Sequence, residues 1–160
     1  MRIAILMSTY NGHKYLDKQL KSIAEQTLIK NVTLYIRDDG STDDTFGIIS
    51  KWKSEIPIVL YKEKNAGPAM SFWNLLKKTE ISADYYAFCD QDDIWDNDKL
   101  EVGIKHLHDD THFYACNCRI IDDTDKIVRS RRLNYQPDIC MQKLFAVSYT
   151  HLRAHETGAY

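Results

Sequence analysis

Apolar residues in this chain switch repeatedly between the spacing of a strand and the spacing of a helix, and few folds accept such an alternation. Residues 3–7 form a continuous apolar run, the pattern of a strand covered on both faces. Leu16, Leu20, Ile23 and Ala24 then recur along one helical stripe. Val32, Leu34 and Ile36 alternate as a second strand, which stops at Asp38-Asp39-Gly40. Ser41 and Asp44 have the spacing of a capping box, with Asp in place of Glu, and predict a helix with Phe46, Ile49 and Trp52 inward. A third strand is expected over 56–61. The turn Asn65-Ala66-Gly67-Pro68 follows, with Pro68 opening a helix whose Ala69, Phe72, Leu75 and Leu76 face the core. Tyr85–Cys89 reads as a fourth strand, ending at Asp90-Gln91-Asp92-Asp93. Asp96 or Asn97 caps a helix carrying Leu100, Ile104 and Leu107, and 113–121 reads as a fifth strand.

Strands alternating with helices predict an α/β fold, a Rossmann-like, doubly wound and mostly parallel sheet with helices on both faces. Right-handed crossovers leave few topologies, and the commonest begins with strand order 3-2-1-4. The length of 160 residues suits one domain. A net charge of -2 argues against a nucleic-acid partner. No apolar run approaches the roughly 18 residues of a membrane span. The first seven residues are too short an apolar run for a secretory leader, so a cytoplasmic protein is expected. Cys89, Cys116, Cys118 and Cys140 form no C-x-x-C pair and are expected to be reduced thiols.

Ligands of doubly wound sheets bind at the carboxyl ends of the strands, where the strand order reverses. That point falls between the first and fourth strands, and the polar strand ends gather around it. They are Ser8, Thr9, Tyr10 and Asn11 after the first strand, Asp38 and Asp39 after the second, Asn65 and Gly67 after the third, and Asp90, Asp92 and Asp93 after the fourth. Carboxylates this close repel unless a cation sits among them, and oxygen donors suit a hard ion such as Mg²⁺ or Mn²⁺. No glycine-rich phosphate cradle is present, so a diphosphate would depend on that cation. Asp39 can accept a hydrogen bond from a ribose hydroxyl or a base N–H. Tyr10 can stack on a base, or fill the corner between strand and helix. Ser41, Asp43 and Asp44 read as helix caps.

Ser-Thr-Tyr-Asn-Gly at 8–12, Asp-Asp-Gly-Ser-Thr-Asp-Asp-Thr at 38–45 and Asp-Gln-Asp-Asp-Ile-Trp at 90–95, in that order, resemble a family 2 glycosyltransferase of the GT-A fold, in its rhamnosyltransferase-like bacterial branch. The resemblance implies a nucleotide-diphospho-sugar donor, a divalent metal, inverting transfer, and a saccharide or lipid-linked saccharide acceptor. For the full-length protein, a lipid-linked acceptor implies peripheral membrane association. Carried over by position, Ser8, Tyr10 and Asp39 match nucleoside-binding positions, Asp90 and Asp92 the metal motif, and Asp93 a position near the donor sugar. An Arg common after Asn65-x-Gly67 in the family is replaced by Phe72 or Ser71. The family's acidic base lies further downstream, so the catalytic base is unassigned. Asp122, Asp123 and Asp125 read as a turn instead.

Two other readings compete. One is a nucleotide-sugar-binding module without catalysis. The other is a zinc-binding interaction domain built on His106, His108, His112, Cys116 and Cys118. Residues 147–157 resemble a translated sequencing-library adapter. On that basis residues 1–147 are expected to be a truncated nucleotide-sugar-binding domain, and 148–160 a non-native tail.

Overall fold

Aliphatic side chains crowd residues 3–7 and recur at every second position of 32–36, and both stretches become central strands of one parallel sheet. The computed structural model describes residues 1–107 and 114–130. Its main sheet contains β1 (Ile3–Thr9), β2 (Val32–Asp38), β3 (Ile58–Lys62) and β4 (Tyr85–Cys89), in the order β3-β2-β1-β4. Thr9 lies opposite Asp38, and Met7 opposite Cys89. The strand order is therefore the expected one, and its reversal between β1 and β4 opens at the carboxyl edge.

Helices cover both faces. Ile3, Ile5, Met7, Leu34 and Ile36 meet Leu16, Leu20 and Ile23 of α1 (Leu16–Ala24), Ile48 and Ile49 of α2 (Thr45–Trp52), and Leu100 of α4 (Lys99–Lys105). On the opposite face, Ala4 and Leu6 meet Leu75 of α3 (Pro68–Leu76), together with Ile81. A fully buried aliphatic side chain contributes about 1.5–3 kcal/mol. β1, buried on both faces, is the strand on which the fold depends most.

The structure differs from the sequence expectations in five places. β3 starts at Ile58, because Pro57 has no N–H to give a ladder; its carbonyl instead accepts the Leu34 N–H at 2.9 Å. α2 starts at Thr45 with Asp44 at its N-cap, so Ile48 and Ile49 point inward and Phe46 is exposed beneath the Lys62 ammonium. α3 turns Ser71 and Leu75 inward, leaving Ala69 and Leu76 exposed. Asp98, rather than Asp96 or Asn97, occupies the N-cap position of α4, without a side-chain capping bond. The predicted fifth strand does not join the main sheet. Within its described part, Ile120–Ile121 (β5) pairs antiparallel with Ile127–Arg129 (β6), because the turn at 122–125 folds the chain straight back. That turn is the one expected from Asp122, Asp123 and Asp125; Asp122 accepts the Thr124 and Lys126 N–H groups, and Asp125 has φ 62°.

Candidate functional site

Each strand of the main sheet delivers polar residues to the same edge. At the end of β1, the Ser8 hydroxyl donates to Ser71 Oγ on α3 at 2.6 Å, and Thr9 Oγ1 donates to Asp38 at 3.2 Å. Ser41, through its N–H and hydroxyl, also bonds Asp38. Asn11 takes a left-handed φ of 47°, which Asn tolerates better than most residues, and its side chain accepts the Thr42 N–H at 2.9 Å. The Tyr10 ring is 48% exposed.

Asp39 is 2% exposed, and both its oxygens are occupied. They accept the Ala66 N–H, the Gly67 N–H at 2.9 Å, and a guanidinium N–H of Arg37. The turn before α3 is thereby tied to β2. Gly67 closes the turn at φ 81°, where a side chain would be strained. Arg37 was not singled out by the sequence reading, yet it is the buried charge beneath this edge, at 2% exposure. It pairs with Asp39 and with Glu63, and donates to the Lys64 carbonyl at 3.0 Å. Burial pulls the guanidinium pKa down, but the hydrogen bonds it donates to Asp39 and Glu63 outweigh it and the net shift is upward. Glu63 is held below its ordinary value by hydrogen bonds from Lys78 and Arg37.

The acidic loop after β4 is anchored from beneath. Trp95 is buried and its backbone N–H donates to Ser22 Oγ at 3.0 Å; Gln26 accepts the Leu100 N–H and donates to the Asp96 carbonyl. Asp92 and Asp93 are buried and Asp90 is half-buried. Between them, Gln91 reaches across to Tyr10: its Oε1 accepts the Tyr10 N–H at 2.9 Å, and its Nε2 donates to the Tyr10 carbonyl at 3.1 Å. Among the described residues no three His, Cys, Asp or Glu side chains converge into a metal cage. Mg²⁺ typically binds one or two carboxylates and completes its shell with water and phosphate oxygens, and Asp90 and Asp92 fit that donor set.

Asp43 is more than a helix cap. It accepts the N–H of Thr45 at 3.0 Å and the Thr45 hydroxyl, and also the N–H of His13 at 3.0 Å, with the His13 ring 2.9 Å away. It therefore ties the loop after β1 to the start of α2. Burial opposes ionisation, but these hydrogen bonds prevail and lower its pKa to about 2.

Asn65 is exposed at the edge. At the position of the family's Arg, Ser71 is buried against Ser8 and Phe72 packs edge-on to Phe88, with ring centroids 5.7 Å apart. Of the zinc set, His108 and His112 lie outside the described residues. His106 stacks on Tyr114, Cys116 accepts a bond from Lys99 Nζ at 3.2 Å, and Cys118 is buried. Among the described residues Cys89, Cys116 and Cys118 form no disulfide, and Cys140 and residues 148–160 lie outside the described residues.

The profile of the family described as glycosyl transferase family 2 matches residues 4–158. The chain belongs to glycosyl transferase family 2. The family 2 chain is 37% identical over 106 residues to the dTDP-rhamnosyl transferase RfbG of Shigella flexneri, covering 63% of this chain and 36% of that protein. It is 32% identical over 107 residues to the putative teichuronic acid biosynthesis glycosyltransferase TuaG of Bacillus subtilis, covering 66% of this chain and 41% of that one. The structure of S. aureus TarS 1-349 in complex with UDP-GlcNAc superposes with a TM-score of 0.62 at 25% identity, over 76% of this chain and 34% of that 1-349 chain. The family 2 chain thus spans roughly two fifths or less of the length of these proteins. Its four-stranded parallel sheet shares the α/β fold of TarS. Among the described residues no helix is long and apolar enough to cross a membrane.

Proposed function

We propose that this chain is the donor-binding portion of a metal-dependent, inverting glycosyltransferase. It would transfer a sugar from a nucleotide-diphospho-sugar to a hydroxyl of a saccharide or lipid-linked saccharide in bacterial polysaccharide synthesis. One observation carries the proposal: in a family 2 chain, four strand ends bring a stacking ring, a hydroxyl pair and an acidic loop to the edge where β1 and β4 reverse the strand order. The dTDP and UDP in the names of two similar proteins support a pyrimidine nucleoside diphosphate.

In this reading Ser8, Thr9, Tyr10, Asn11, Asp38, Asp39, Asn65 and Gly67 form the nucleotide side. Tyr10 stacks on the base. Asp39 fixes the turn at 65–67, and a base N–H would compete with the Ala66 and Gly67 amides for its oxygens. Asp93 lies toward the donor sugar. Asp90 and Asp92 would hold Mg²⁺ or Mn²⁺, which when bound supplies charge neutralisation and Lewis acidity at the leaving diphosphate. The bond from C1 of the sugar to the diphosphate oxygen breaks with oxocarbenium character. The acceptor hydroxyl attacks the opposite face and gives its proton to a carboxylate base.

Isothermal titration with UDP and dTDP, in Mn²⁺ and in EDTA, tests this. Tighter binding in Mn²⁺, abolished by Asp92→Asn, is expected. Equal affinity in EDTA refutes the metal role.

A further inference from the structure

The β1–β4 ladder ends at Met7 and Cys89, yet the two chains remain stitched beyond it by a side chain. The Gln91 amide meets both backbone groups of Tyr10, accepting its N–H at 2.9 Å and donating to its carbonyl at 3.1 Å. The fit leaves no spare room: a Cβ on Gly12 would overlap the Gln91 side-chain amide. Gln91 sits between Asp90 and Asp92, and Tyr10 opens the loop that follows Ser8 and Thr9 at the end of β1. One amide therefore joins the loop that carries the acids to the loop that carries the exposed ring.

We infer that Gln91 is a positioning residue: it sets the distance between the base-binding segment at 8–12 and the carboxylates at 90 and 92, so that one nucleoside diphosphate reaches both. The inference rests on the nucleotide-site reading proposed above. It assigns Gln91 no contact with the ligand. Gly12 serves the same contact by staying small, and its N–H is held separately by Thr45 Oγ1 at 2.8 Å.

The test compares two ligands that differ in what they ask of the two loops. Pyrophosphate with Mg²⁺ needs only the acidic loop; UDP or dTDP with Mg²⁺ needs both. Titrations use the full 160-residue chain and variants whose circular dichroism matches it. Gln91→Met keeps the length of the side chain but loses the paired amide, and should weaken nucleotide binding about tenfold, the loss of two ordinary hydrogen bonds. Pyrophosphate binding should stay within about twofold, a split that general loosening of the fold does not produce. Gly12→Ala attacks the same contact from the other side and should give the same split. The double variant should cost no more than the worse single one, because both act through one contact. Equal weakening for both ligands, or unchanged nucleotide affinity in both single variants, overturns the inference while the nucleotide site stands. A wild-type chain that binds nucleotide no better than pyrophosphate overturns the site reading, and the inference with it.

Discussion

Asp43 ties the loop after β1 to the start of α2, and this contact should be visible as a pH-dependent part of the stability. Its carboxylate titrates at about 2 in the folded chain against an ordinary 3.8. A folded pKa below the unfolded one stabilises the fold at pH above the unfolded value, and that stability is lost as pH falls through the folded value. At about 1.4 kcal/mol per pKa unit, the ionised Asp43 contributes about 2 kcal/mol at neutral pH, and about half of that is gone at pH 3. The side chain is 18% exposed, so solvent screening removes only part of the effect. Asp43→Asn keeps the shape but cannot ionise, and its amide N–H₂ would face the N–H of His13. Urea unfolding of both proteins at pH 6, 4 and 3 should show a gap of about 2 kcal/mol at pH 6 that narrows to about 1 at pH 3. A gap that stays the same from pH 6 to pH 3, or is absent at pH 6, would show that the His13 and Thr45 bonds do not hold the carboxylate in its ionised form.

Arg37→Met leaves Asp39 buried without its cation, and should cost about 3 kcal/mol in urea unfolding, whereas Arg37→Lys, which keeps the charge but not the planar fork, should cost less. Tyr10→Ala removes a half-exposed side chain and should lower stability by no more than about 2 kcal/mol, while weakening nucleotide binding by about 1 kcal/mol or more in isothermal titration through lost stacking.

The strand order and the carboxyl edge were legible in the sequence because each apolar run ends in a polar cluster. Tyr85–Cys89 and the acids after it are the clearest case. The inward face of α3 was not legible. Pattern alone favours Ala69 and Leu76, but the structure turns Ser71 inward, where its hydroxyl accepts a bond from Ser8 across 63 positions of chain. Arg37 was hidden for a related reason: alternation along β2 places it opposite Ile36, on what reads as a solvent face, and only the arrival of Glu63 and Asp39 makes burial of its charge tolerable. Gln91 was masked by the acids on either side, since nothing local signals that its partner is the backbone of Tyr10, 81 positions away. Phe46 looks like a core residue until α2 is seen to begin at Thr45, which rotates it outward beneath Lys62.

The decisive experiment is anomalous diffraction from crystals grown with Mn²⁺ and UDP or dTDP. The Mn²⁺ peak should lie about 2 Å from carboxylate oxygens of Asp90 and Asp92 and from the diphosphate, with the base against Tyr10. A peak at His106, Cys116 or Cys118, or a nucleotide bound away from the carboxyl edge of the sheet, would contradict the donor site proposed for this chain.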